Sequence, residues 1–241
     1  MRATIIRFIF CITSLTFSPL YAQNIIPAPA GDPHYTKVGF FDIHVCNWPN
    51  RKLFFMALFS TTMADNIQKV ELFSPAGTRL AELDTSKYKL ILKKGKPEKR
   101  VFISQIPIAK NAPNGWYRSI ITTKNGARYE AKDYVIRARM EIAKPVYPKN
   151  GAELEQAPKK LTWQAVPGAK YYKVFIKDYW SKDTIFESSL LSSPELSLPP
   201  GLIKKRNDYE WRVHVRDVNI NALLGDFNYG SLNSPSSFST K

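Results

Sequence analysis

Residues 161–174, Leu161-Thr162-Trp163-Gln164-Ala165-Val166-Pro167-Gly168-Ala169-Lys170-Tyr171-Tyr172-Lys173-Val174, and residues 209–213, Tyr209-Glu210-Trp211-Arg212-Val213, decide the fold. In both, large apolar or aromatic side chains alternate with polar ones, the period of a half-buried strand. Pro167-Gly168 interrupts the first stretch as a turn does. Working outward, the spacing predicts strands at Lys160–Gln164, Tyr171–Asp178, Asp183–Ser189, Glu195–Leu198, Tyr209–Asp217 and Ser236–Thr240. No segment of the 241 residues carries a long 3.6-residue apolar period, and Met63 to Val70 holds at most one short helical turn. The fold class is therefore all-β.

Leu161-Thr162-Trp163, then Pro167-Gly168-Ala169, then Tyr171-Tyr172-Lys173-Val174 resembles the B-to-C region of a fibronectin type III domain. Leu196 and Leu198 before Pro199-Pro200-Gly201, followed by Tyr209-Glu210-Trp211-Arg212-Val213, is similar to that family's E-to-F region. The resemblance covers roughly residues 145–240. It implies an antiparallel sandwich with Trp163, Tyr172 or Val174, Trp211 and Val213 in the core. It also implies that Tyr209 is a corner tyrosine whose hydroxyl bonds back to the backbone. Val218–Tyr229 departs from the family as a longer and more polar F–G connection.

Upstream, short apolar runs separated by turn residues continue from Tyr35. Strands are predicted at Gly39–Cys46, Leu53–Ser60, Gln68–Phe73, Tyr88–Leu92, Arg100–Ile106, Trp116–Thr123, Arg128–Tyr134 and Val135–Met140. Asn125-Gly126, between two alternating runs, is a strong hairpin signal. Strands at this density fit a second sandwich, immunoglobulin-like in general pattern. The expected organisation is two tandem antiparallel β-sandwiches, at 35–142 and 143–241. The proline-rich seam Ala143–Gly151 joins them, and an extended leader precedes them at 23–34.

Arg2 and Arg7 flank a short apolar stretch, Phe8 to Phe17, and Leu20-Tyr21-Ala22 follows Pro19. This pattern predicts a secretory signal peptide over 1–22, cleaved after Ala22. Phe10 before Cys11 excludes a lipobox. The apolar stretch is shorter than the roughly 20 residues a membrane span needs. The expectation is an exported bacterial protein, periplasmic or secreted, with no transmembrane segment after cleavage. Cys46 is then its one cysteine, which excludes an internal disulfide.

The formal charge is +15, from 35 Lys+Arg against 20 Asp+Glu. Residues 23–140 hold 19 cations and 9 anions, and residues 141–241 hold 14 and 11, so the excess sits in the first half. Export removes nucleic acid as a physiological partner and directs the basic surface to envelope proteins or an anionic polymer or glycan. Lys93, Lys94, Lys96, Lys99 and Arg100 place five cations in eight residues at a predicted hairpin tip. That tip is either a solubilising turn or an electrostatic contact.

Asp42, His44 and Cys46 alternate along one predicted strand and share a face, residue types that suggest nucleophilic catalysis. Residues at i and i+2 stand about 7 Å apart, which predicts no hydrogen bond between them and no triad. His34 and His214 are the other histidines, and no paired metal-ligand spacing is present, so no metal is expected. No phosphate-cradling loop or catalytic signature appears, and no cofactor is implied.

Asp217, Asn219, Asn221 and Asp226 give an oxygen-rich loop. Its plain reading is turn capping by Asx side chains. Its functional reading is recognition, with Phe227 and Tyr229 as rigid contact residues and calcium as a lesser variant. Trp48, Trp116 and Trp180 fall in loops or at strand ends, placing them either at the junction between the halves or on a sugar-stacking surface. The expected function is a non-enzymatic interaction module of the cell envelope. The alternatives are a carbohydrate-binding module, using Trp48, Trp180, Phe227 and Tyr229, and a hydrolase with carboxylates from separate strands.

Overall fold

The computed structural model describes residues 24–218 and 226–241, which are all-β apart from one 3-10 turn at Ala64–Asn66. The expected signal peptide with Cys11, and Asn219 and Asn221, lie outside the described residues. The first strands are β1 (Ile25–Ile26), β2 (Tyr35–Thr36), β3 (Gly39–Asn47), β4 (Phe54–Thr61), β5 (Ile67–Phe73) and β6 (Arg79–Glu82). Then come β7 (Tyr88–Ile91), β8 (Lys99–Pro107), β9 (Gly115–Thr123) and β10 (Arg128–Val135). The remainder are β11 (Pro145–Tyr147), β12 (Ala152–Leu154), β13 (Lys160–Trp163), β14 (Tyr171–Asp178), β15 (Thr184–Glu187), β16 (Glu195–Ser197), β17 (Asp208–Arg216), β18 (Tyr229–Leu232) and β19 (Ser236–Thr240).

One sheet runs β1-β10-β9-β5-β6 and faces the run β3-β4-β8-β7. Between them lies a core of Phe41, Ile43, Val45, Phe55, Phe59, Phe102, Val70, Leu72, Tyr117 and Ile121. The β9–β10 turn carries Asn125-Gly126 as expected, with Gly126 at φ 84 in the left-handed position that closes such turns. A second core lies between β11-β13-β16 and the strands β14, β17 and β19. Trp163, Tyr172, Val174, Trp211 and Val213 are all buried in it, on the alternation read from the sequence. The Lys204 N–H donates to the Tyr209 hydroxyl at 2.8 Å, the corner bond that the resemblance implies. Removing that acceptor strands a backbone donor near the sandwich end. Tyr209→Phe is therefore expected to cost about 1 kcal/mol, read as a shift of the urea midpoint with an unchanged slope.

One expectation is corrected, and two features go beyond the sequence reading. Val135–Met140 is not a strand. β10 ends at Val135, and the backbone beyond it bonds elsewhere: Arg137 N–H donates to Asn114 Oδ1 (2.7 Å), and the Met140 carbonyl accepts from Asn47 Nδ2 (2.8 Å). The extended leader also enters the sheet, since β1 adds to β10 in parallel and His34 is fully buried. The two cores also share a sheet. β18 pairs with β17 on one side and, in parallel, with β3 on the other, through Tyr229↔Val45, Gly230↔Cys46 and Ser231↔Asn47.

This pairing explains β3, whose residues from Phe40 to Asn47 are all buried. The odd residues Phe41, Ile43 and Val45 enter the first core. The even residues Asp42, His44 and Cys46 face the junction. The outer edge of β3 is shared between two partners, with β2 covering Gly39–Phe40 and β18 covering Val45–Asn47. In the gap between them the Ile43 N–H donates to Asp133 Oδ2 at 2.7 Å, so a side chain completes the ladder.

Candidate functional site

β7 is the terminal strand of its sheet and joins β8 through a turn in which Lys96 N–H donates to the Lys93 carbonyl (3.0 Å) and Gly95 takes φ 71. Lys93, Lys94 and Lys96 are exposed, and none of the three forms an ion pair among the described residues. Beside them Tyr88, Leu90 and Leu92 are exposed apolar side chains, Leu92 at 71%. The cationic stretch is shorter than the sequence suggests. Arg100 is held by Asp65 (2.8 Å) and Glu98 (3.0 Å) with its guanidinium over the Tyr88 ring, and Lys99 is half-buried in the ladder opposite Ile91. The exposed free charge at the tip therefore comes from Lys93, Lys94 and Lys96, with the half-buried Lys99 beside them.

The 217–230 stretch behaves differently. Phe227 is 2% exposed, and its ring lies 3.8 Å from the His44 ring and 5.2 Å from His214, with Arg216 at 4.9 Å. Tyr229 is half-buried and packs against both cores. Asp217 Oδ1 accepts from the Asn228 and Tyr229 N–H groups (2.8 and 3.0 Å), and its Oδ2 accepts from Asn228 Nδ2 (2.9 Å). Asp226 is buried as well. Asp217, Asp226, Phe227 and Tyr229 are thus not an exposed recognition surface. Asx capping is the role that Asp217 performs, because its Oδ1 accepts from two backbone N–H groups.

The spacing argument against Asp42 and His44 is also corrected. His44 Nδ1 and Asp42 Oδ2 meet at 2.8 Å, since the two side chains lean together across the separation of their Cα atoms. Burial opposes charge on His44, but Asp42 and the Cys46 sulfur beside it outweigh that, and its pKa is pushed up to about 10. Burial and Arg216 hold His214 far below its ordinary range, with Arg216 Nη2 3.1 Å from its Nδ1. The Phe227 ring therefore separates a charged imidazole from a neutral one. Carboxylate, imidazole and thiol do stand in a row, yet each is 5% exposed or less, so no substrate reaches them.

The gap in the β3 edge holds a second buried group. His34 Nε2 lies 3.0 Å from Asp133 Oδ1 and 3.5 Å from Asp226 Oδ2, and His34 Nδ1 lies 2.8 Å from Asp32 Oδ1. Desolvation opposes charge on His34, but Asp133, Asp226 and Asp32 push its pKa up to about 9. Asp133 is itself pushed up to about 7 by burial. Reading the sequence missed this group because its members come from the leader, β10 and the 217–230 stretch, up to 192 positions apart. The one available signal was an Asp and a His two residues apart in a leader with little else polar.

The tryptophans do not converge. Trp48 packs edge-on to Phe54 (5.1 Å between ring centres) near Arg51, within the first half. Trp116 packs on Tyr134 beside an open groove of about 810 Å³ that Pro33, Gly77, Arg118 and Lys132 also line. Trp180 is 73% exposed, in the β14–β15 turn, with Nε1 donating to Asp208 Oδ2 at 2.7 Å. With Phe227 buried, Trp48, Trp180, Phe227 and Tyr229 form no common sugar platform.

No family model matches the sequence, and no curated protein does. Among solved structures, the chain is similar to the FN1–FN3 domains of chicken CNTN1, at 10% identity and a TM-score of 0.30, covering 83% of this chain and 64% of that one. It is also similar to Salmonella alpha-2-macroglobulin reacted with methylamine, at 12% identity and a TM-score of 0.26, covering 90% of this chain and 15% of that one. Overlays this loose bear no weight, and the functional reading rests on the geometry of the chain itself.

Proposed function

We propose that this chain is a non-enzymatic interaction module of the bacterial cell envelope, exported to the periplasm or beyond, that docks an acidic protein segment on the β7 edge. The supporting observation is the pairing of three exposed, unneutralised lysines with exposed Tyr88 and Leu90 on a terminal strand and exposed Leu92 just after it. A terminal strand offers unpaired backbone groups to an incoming extended segment. The apolar side chains add contact area, and the lysines select acidic sequence and speed its approach. An anionic polymer would be drawn by the lysines alone and would leave the apolar edge unused.

The triple variant K93Q/K94Q/K96Q is expected to bind an extended acidic peptide at least tenfold more weakly at about 50 mM salt, with the difference shrinking at about 500 mM as screening takes over. Leu90→Ser, which removes apolar contact without changing charge, should weaken the peptide further and leave an anionic polymer unaffected. Fluorescence anisotropy with peptide and polymer in separate arms reads both. Binding that ignores salt and the triple substitution would end the proposal, and loss of polymer binding alone would remove the strand-docking part.

A further inference from the structure

We propose that His34, Asp133 and Asp226 form a site for a divalent transition cation of the Zn²⁺ or Mn²⁺ type, closing the gap in the β3 edge and tying the leader, β10 and the second core together. The three side chains are 1% exposed or less. Their ligand atoms all lie within 4.8 Å of one another. Atoms that share an ion at about 2.1 Å stand roughly 3.0–3.4 Å apart for octahedral or tetrahedral angles, and two of the three edges here measure 3.0 and 3.5 Å.

The surroundings are those of a ligating imidazole. Asp32 accepts from the His34 backbone N–H (3.1 Å) and meets Nδ1 (2.8 Å), which fixes the ring and turns Nε2 toward the two carboxylates. An imidazole oriented by a carboxylate on its other nitrogen is the usual outer-shell arrangement of metal-bound histidine. Asp133 has its Oδ2 committed to the Ile43 N–H, which leaves Oδ1 on the side of the site. One imidazole with carboxylates suits zinc or manganese, whereas calcium takes six to eight oxygens and no nitrogen.

The full chain, stripped with chelator and titrated with Zn²⁺ or Mn²⁺ alone, should take up one equivalent. The same addition should raise Tm by roughly 5–10 °C at a hundredfold excess over Kd. Asp226→Asn should weaken uptake at least tenfold while keeping the fold, and His34→Gln should abolish it. X-ray absorption of the zinc-loaded native chain should show nitrogen and oxygen neighbours and no sulfur. The absence of stoichiometric uptake would show that a proton on His34 is the group's only cation and would overturn the proposal. So would uptake unaffected by both substitutions, or sulfur scattering, which would place the metal at a cysteine.

Discussion

Gly230→Ala is expected to lower stability by about 3 kcal/mol, a Tm drop of roughly 6–12 °C for a chain of this size. A Cβ at Gly230 would stand 2.7 Å from the Val215 carbonyl oxygen and 2.7 Å from the Phe227 ring. Neither neighbour can yield cheaply. Val215 lies in β17 opposite Ser231, and Phe227 is wedged among His44, His214 and Arg216. The strain is steric and falls on the strand that joins the two cores, through Gly230↔Cys46 on one side and Arg216↔Gly230 on the other. Gly31→Ala is the matched control, since a Cβ there meets nothing within 4 Å, and its melting curve should coincide with that of the native chain. Tolerance of Ala at 230 within about 0.5 kcal/mol would mean that the junction does not pack as described.

His44→Gln is expected to destabilise by about 3 kcal/mol at pH 7, because it leaves the buried Asp42 carboxylate without its cation. The loss should depend on pH in one direction. The folded pKa of His44 lies above its ordinary value, so its contribution is complete below about pH 6.5 and fades as pH climbs toward 10. The groups facing it are Asp42 and Cys46 from β3, His214 and Arg216 from β17, Asp217 just after it, and the Phe227 ring. All of these remain in the variant, so the comparison reads the imidazole together with its coupling to them. Paired thermal melts between pH 6 and 10 should show a gap that is widest at pH 6–7 and narrows steadily from there toward pH 10. A gap constant across that range would mean that the imidazole is neutral and that Asp42 is balanced otherwise.

The second core was legible because Trp163, Tyr172, Val174, Trp211 and Val213 sit on strands with one wet face, where burial writes itself into the sequence as a period of two. β3 carries no such mark, since its even face is covered by residues from the far end of the chain. β18, Tyr-Gly-Ser-Leu, was missed because it is short and fits its place through small size rather than apolar character. Val135–Met140 was misread because its apolar residues belong to a connecting segment whose Met140 enters the second core. The spacing rule failed for Asp42 and His44 because it measured the backbone and ignored the reach of the side chains. The His34 group lay beyond any local reading, since contacts between residues about a hundred positions apart leave no periodic trace.

β3 and β18 run parallel, and that direction has a mechanical meaning. A chain pulled at its two ends draws β3 by its leading end and β18 by its trailing end. In a parallel pair those ends lie at opposite extremes, so the load runs along the strands and strains their hydrogen bonds together instead of peeling them one by one. The strand pair that joins the cores is therefore loaded in shear when the chain is pulled.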